Sequence, residues 1–518
     1  MWLGALLGAA VTGHALFAGP YLPYIDWSNH LALISVLAHG GESGALEFMT
    51  RSWAPTPYLL YYALAAGLAQ GMSVVTAAKA ALVLSAGLLA LGGAELAWAC
   101  GRSPRLGAIA PLSMFGVAMG FGFASFVFAT PLLLFVLASN ERLLNAGPDD
   151  RRRRAAALAI WLCLAYLGHA LIFLMGCALC GIRGLQSGLL RWRSEGPRAG
   201  VEAPLRVMIA AIPAVLLALP ETLAHLNNPW NEAGTAAAKG AGPLAHFEPW
   251  AQHHRMLYGH LLERGSTEHV TVMGWAAALL VALFVKALIT RFRAPLPAPP
   301  GGRGLELYAA AMLALFLFGP MSLEWPSSIW MVYPRFGTIA LVFPFLLPRC
   351  DLRGIAGVAA TAACVTLVAW NASINAGHVE RFNGWARQYD QVRETIPPRS
   401  RVLALTLPDS GDMTNLHPAL GSLYFYHMVD GASYVAFLFD AAALPVRQRQ
   451  DVKPRAPFWR NVRGFNPKIH GVDFDYLVLR GTTLTTRTSQ AGLHKRVASI
   501  NGWDVFQTLQ PSPRPQSQ

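Results

Sequence analysis

Residues 23–32 read PYIDWSNHLA and follow directly on an apolar run that begins at Trp2. That run is long enough to enter a bilayer, so Asp26 and His30 fall where the chain leaves it. A carboxylate at such a place needs either a partner or a task. The surrounding chain is oily throughout. Of its 518 residues 54% are hydrophobic and 13% charged, and the mean hydropathy is +0.38, which excludes an ordinary soluble globule. No Lys or Arg precedes the first run and no small-residue cleavage site stands before Gly19 and Pro20. The run is therefore expected to remain as a helix, with a removed signal peptide as the alternative.

The net charge is +13, and its distribution says more than its sum. Short basic connections occur at Arg102/Arg105, at Arg142 with the arginines of 151–154, at Arg183/Arg191/Arg193/Arg198, at Lys286/Arg291/Arg293/Arg303 and at Arg349/Arg353. The connections between them carry almost none, and this asymmetry sets orientation during insertion. With the basic connections inside, spans are expected near 2–18, 74–99, 106–121, 123–140, 155–168, 169–186, 205–220, 270–288, 306–320, 336–348 and 354–371. That is about eleven crossings, several of them short, with the N-terminus inside and the C-terminus outside. The segment PYLLYYALAAGLAQG at 57–71 is apolar enough to cross, but counting it would move the 151–154 arginines outside. It is therefore read as a helix in the outer interface, where Tyr58, Tyr61 and Tyr62 keep their hydroxyls wet; an ordinary span offset by one missed elsewhere is the alternative.

This reading divides the chain into a transmembrane domain at 1–371 and a polar segment at 372–510, with a disordered tail at 511–518. The transmembrane domain has outer interfacial helices within 20–73 and a long outer loop near 221–269. RVLALTL (401–407), DYLVLRG (475–481) and WDVFQTL (503–509) have the short β-rich form of strands, and 379–395 reads as helix. The fold class expected is a polytopic α-helical membrane protein, multi-pass in the bacterial inner membrane, with a C-terminal extracytoplasmic α/β domain.

Fourteen of the fifteen histidines fall on or beyond the outer face, which hints that the chemistry lies there; drift in composition would give the same pattern. All six cysteines lie in spans or at their inner ends, so the outer segments rest on packing rather than disulfides. Cys177 and Cys180 form a CxxC inside an apolar helix without the flanking ligands of a zinc site. No GxxxxGK[ST], no GxGxxG between strand and helix, and no HExxH is present, which argues against a nucleotide-driven pump or a nucleotide-sugar enzyme. The basic residues flank membrane segments, so no nucleic-acid surface is expected.

If 26–38 is helical, Asp26, Asn29 and His30 share one stripe and Leu31, Ile34 and Leu37 the other. Asp26 in that position can accept a proton from an attacking hydroxyl, with His30 orienting it or tuning its acidity. Alternatively Asp26 caps the helix. Arg335, in WMVYPRFG, stands on the outer side where the charge rule does not expect it; its planar fork suits a phosphate, and ordinary lipid headgroups are the other partner available. Glu324, beside Trp325, is a candidate for a sugar-facing wall. His169 opens an apolar helix at its outer end, as a ligand contact or a satisfied helix terminus. Trp230, His253 and His254 are the substrate-contact candidates of the long loop, which shows no fixed metal-ligand spacing.

This plan resembles the GT-C class of integral-membrane glycosyltransferases, which includes oligosaccharyltransferases, protein O-mannosyltransferases and aminoarabinose transferases. The resemblance rests on Asp26 within YIDWSNH, on Pro55, Thr56, Pro57 and Tyr58 at the start of the second interfacial helix, on Arg335, and on a closing outer α/β domain. It implies a polyprenyl-phosphate-linked sugar as donor, an acceptor on the outer face, Asp26 as base and Arg335 as phosphate partner. Many members carry a further acid in the next outer loop, whereas this chain reads MGFGFASF at 119–126. No metal ligand is therefore assigned, although a divalent metal stays open, and Gly116, Gly120 and Gly122 are read as allowing close helix packing. A membrane transporter or lipid flippase is the competing reading, and a non-enzymatic envelope protein with a partner-binding C-terminal domain is the third.

Overall fold

Helix dominates the computed structural model, which describes residues 2–40, 44–226, 245–249, 267–293, 304–323, 329–350, 352–407, 419–439, 443–457 and 462–513. Among the described residues six helices are long and apolar enough to cross a membrane. They are Val74–Ala99, Ala124–Leu144, Ala170–Glu195, Pro197–Leu223, Glu268–Phe292 and Gly354–Ala386. Shorter apolar helices occupy Trp2–Leu16, Gly304–Phe318 and Val332–Leu346, and Arg151–Gly168 forms a helix opened by the arginine run.

One expected span is corrected. Residues 106–121 do not form a continuous α-helix but a 3-10 segment, Pro104–Met114, followed by the short helix Val117–Gly120. Pro111 inside the segment lacks the N–H that an α-helix would use, and Gly116 breaks it in extended backbone. The close packing expected of Gly116 is present: a Cβ there would lie 2.0 Å from Thr338 Cγ2. The segment read as 57–71 is the ten-residue helix Leu59–Leu68, too short to cross.

The chain forms two compact units. The first holds Met1–Leu16, Pro55–Tyr61 and Ala81–Ala376. Two of the arginines that the charge pattern assigned to inner connections, Arg183 and Arg102, are paired with acids. Arg183 and Glu141, 1% and 2% exposed at their side chains, pair at 2.7 and 3.0 Å. Tyr308 donates to the same carboxylate at 2.9 Å and receives the Asn140 amide at 2.9 Å. Arg102 pairs with Glu306 at 2.7 Å. Gly304 is required beside them, since a Cβ would sit 2.3 Å from Glu141 Oε1.

The second unit joins Phe17–Ala54 and Tyr62–Ala80 to Gly377–Gln518. The three expected strands form, as Arg401–Thr406, Tyr476–Arg480 and Trp503–Thr508. They enter a five-stranded sheet with Tyr434–Val435 at one edge and His494–Ile500 at the other. The pairs nearest Arg401–Thr406 are parallel and the last two antiparallel. His494–Ile500 (HKRVASI) escaped the sequence reading because four of its first five side chains are polar or small, as an exposed edge permits. The first loop is tied in by Met49–Arg51, which pairs antiparallel with Val446–Gln448. Asn383 exchanges two hydrogen bonds with the Tyr21 backbone, at 3.0 and 2.7 Å.

Within this unit Tyr389 Oη lies 3.1 Å from His427 Nε2. Burial first, and the charge of Arg393 second, push His427 from the usual 6.5 down to about 3. Between those values the unfolded chain holds a proton that the folded chain refuses, so stability falls as pH drops through the window, by about 1.4 kcal/mol per pH unit from this group. Melting temperature should therefore fall more steeply between about pH 7 and 5 in the wild type than in His427→Gln. Parallel slopes would show that the group does not titrate as described.

Candidate active site

The helix expected at 26–38 is Trp27–His39, and Asp26 occupies its N-cap position without a side-chain cap bond. Only the Asp26 backbone carbonyl serves the helix, accepting the His30 N–H at 3.1 Å. The capping alternative thus fails for the carboxylate, which stays half-buried. Its charge reaches Tyr424, whose hydroxyl pKa is raised by burial and then by Asp26.

His30 is 5% exposed, and its Nδ1 lies 2.6 Å from Tyr62 Oη. Its ring meets Phe439 edge-on at 5.4 Å. Asn29, the third member of the stripe, reads the backbone of the same segment: its Oδ1 accepts from Phe439 N–H at 3.2 Å and its Nδ2 donates to Phe437 O at 3.4 Å. Residues 27–37 are buried on every side, so the helix is enclosed within its unit and the sheet-bearing segment holds its polar stripe.

In the other unit three of the sequence-selected residues meet. His169 is the N-cap of Ala170–Glu195, and its Nδ1 accepts the Leu171 N–H at 3.1 Å. That bond places the proton of the neutral ring on Nε2. Arg335 Nη1 lies 3.5 Å from the same Nε2. Two N–H donors are therefore set against each other, and an oxyanion beside them would be a better partner for each than the other nitrogen is.

Tyr58 stacks edge-on against His169 at 4.7 Å and holds a left-handed backbone, φ 80, that is costly for a tyrosine. Burial raises its hydroxyl pKa, Arg335 opposes this and Glu221 adds to it. Arg335 stands in the first turn of Val332–Leu346, the positive end of a helix, where a cation is disfavoured. Aromatic faces offset this, with Phe123 at 3.8 Å and Phe126 at 5.9 Å from the guanidinium carbon. The MGFGFASF loop, notable in the sequence for its missing acid, supplies both rings.

Glu324, Trp230, His253 and His254 lie outside the described residues. Of the long loop near 221–269, residues 221–226, 245–249 and 267–269 are described. Ala245–His246 pairs with Ser322–Leu323, and Glu248 accepts the Tyr333 hydroxyl at 2.8 Å. Phe123, Phe126, Tyr424 and Phe439 were missed by the sequence reading, and only the aromatic density of 119–126 hinted at the first two. Among the described residues no group of three His, Cys, Asp or Glu side chains is placed to hold a metal ion.

No protein-family model matches the chain, and no curated protein matches it in sequence. Solved structures do. ArnT from Cupriavidus metallidurans in the apo state is 14% identical and aligns with a TM-score of 0.54 over 99% of this chain and 98% of its own. ArnT bound to undecaprenyl phosphate is 13% identical, with a TM-score of 0.54 over 97% of each chain. The chain has the fold of ArnT. The GT-C-like architecture read from the sequence is borne out at the level of fold, and the integral-membrane assignment with it. With identity this low, the ArnT fold does not carry residue roles across.

Proposed function

We propose that this chain is a GT-C-type membrane glycosyltransferase that moves a sugar from a polyprenyl-phosphate-linked donor to an acceptor hydroxyl on the outer face of the bilayer. The paired donors of Arg335 and His169 are the observation that carries the reading. Support also comes from the ArnT fold, seen elsewhere with undecaprenyl phosphate bound. In the reaction the acceptor oxygen attacks the anomeric carbon while the bond from that carbon to the phosphate oxygen breaks. Asp26 takes the acceptor proton, and the bonding electrons leave with the polyprenyl phosphate, whose added charge the Arg335 guanidinium offsets and the His169 Nε2–H stabilises by a hydrogen bond. A single displacement of this kind inverts the anomeric centre. His30, fixed by Tyr62, supports Asp26, and Tyr58 walls the phosphate donors. Glu324, Trp230, His253 and His254 are assigned to sugar or acceptor contacts.

The test uses the full chain in nanodiscs with a panel of labelled polyprenyl-phosphate-linked sugars. Arg335→Gln should raise the donor KM at least tenfold or so, the size of a lost charge-assisted hydrogen bond. Arg335→Lys should recover only part of it, because an ammonium lacks the planar fork. An unchanged donor KM in Arg335→Gln would remove the phosphate role. Wild-type protein that exchanges labelled substrate across the bilayer without covalent change would replace the transferase with a transporter.

A further inference from the structure

The segment 446–501 of the second unit carries eleven Lys and Arg against three Asp. All three acids are spent internally. Asp451 pairs with Arg449 at 2.7 Å, Asp473 with Arg455 at 2.8 Å and Asp475 with Arg401 at 2.8 Å. The excess positive charge faces outward. Arg463, Lys468, Arg487 and Lys495 are exposed, while Arg496 pairs with Asp504 at 3.6 Å.

Part of this charge lines an open cleft of about 490 Å³ between the turn 464–468 and the end of the helix Thr482–Gln490. Its lining includes Lys468, Arg487, Asn466 and Gln490, and no carboxylate. The cleft is built rather than frayed. Arg487 Nη1 donates to the carbonyls of Arg463 and Phe465 at 2.9 and 2.8 Å, and Asn466 Oδ1 accepts the Lys468 N–H at 3.0 Å. The helix presents its negative end here, about half a charge, which Arg487 in the last turn and Lys468 together outweigh.

Exposed aliphatic side chains follow the cleft-lining residues in the chain: Ile469 comes directly after Lys468, and Leu493 two positions after Ala491. Ile469, Leu493 and Leu509 are 47%, 38% and 58% exposed. Their segments are joined, since Leu509 N–H donates to Leu493 O at 3.0 Å and His494 Nε2 lies 3.3 Å from Pro467 O. Cations beside bare aliphatic side chains are the pattern that holds a charged head group and the start of its chain.

We infer that this cleft binds the phosphate of an anionic amphiphile, with Lys468 and Arg487 on the phosphate and Ile469, Leu493 and Leu509 on the first carbons of the chain. The assignment is independent of the transferase reading and of Arg335. Hydrogen–deuterium exchange on the full chain in neutral detergent tests it locally. Dioctanoyl phosphatidic acid should slow exchange in 462–471 and 485–493, with a half-maximal concentration about tenfold below that of dioctanoyl phosphatidylcholine or of glycerol 3-phosphate. Arg335→Gln should retain this protection in full. Lys468→Glu, an exposed side-chain change that leaves the turn bonds in place, should abolish it. Ile469→Ser should bring the lipid down to the level of glycerol 3-phosphate. Protection that survives Lys468→Glu, or that phosphatidylcholine matches, would overturn the site. Glycerol 3-phosphate acting as strongly as the lipid would overturn the amphiphile and leave a site for free phosphate.

Discussion

Asp26→Asn is expected to lower the rate of sugar transfer by roughly 10²- to 10⁴-fold, the contribution of a positioned general base. The amide keeps the shape of the carboxylate and cannot take the acceptor proton. Because the Asp26 side chain makes no cap bond, the exchange removes no cap from Trp27–His39, and the transfer rate should fall far more than the thermal stability does. The donor KM should also change little, since phosphate recognition is assigned to Arg335 and His169. Single-turnover assays with the variant in nanodiscs separate these effects, and a transfer rate equal to wild type would end the assignment of Asp26 as base. His30→Gln should cost less than Asp26→Asn, because its part is to position. Its ring is already held by Tyr62 at 2.6 Å and by Phe439.

The second large effect concerns stability. Arg183→Met leaves Glu141 buried with Tyr308 alone to answer its charge, a loss of about 3–5 kcal/mol for a buried pair broken on one side. Glu141→Gln combined with Arg183→Met removes both charges and should recover most of that loss, since well-packed neutral groups often replace a buried ion pair at little cost. Thermal melts of the three proteins in one detergent decide it. A double variant no more stable than Arg183→Met would mean that packing around Gly304, not the charge pair, sets the stability there.

The Arg183 case shows where reading the chain alone stopped. Its charge was legible as one of the basic residues that mark the inner face, a statement about insertion. Nothing in the local sequence says that Glu141, forty-two positions earlier, meets it in a dry interior. The same limit applies at Arg335. An arginine on the outer side was conspicuous because it broke a rule of charge placement, and His169 and Tyr58 were conspicuous by position. Their convergence depends on three distant segments packing together, which no periodicity encodes. The missed rings, Phe123 and Phe126, were unremarkable as apolar residues and acquire meaning only beneath a guanidinium.

By itself the sequence determined that this is a membrane protein, where most of the apolar helices lie, where three strands of the C-terminal segment lie, and that Asp26 leads a helix. Those properties follow from local hydropathy and period, which each residue carries with it. Tertiary structure alone decided that Asp26 does not cap with its carboxylate. It also decided that Arg335 lies against the His169 ring. Such outcomes depend on which distant groups satisfy a donor or fill a volume, and a linear chain does not specify these until it has packed.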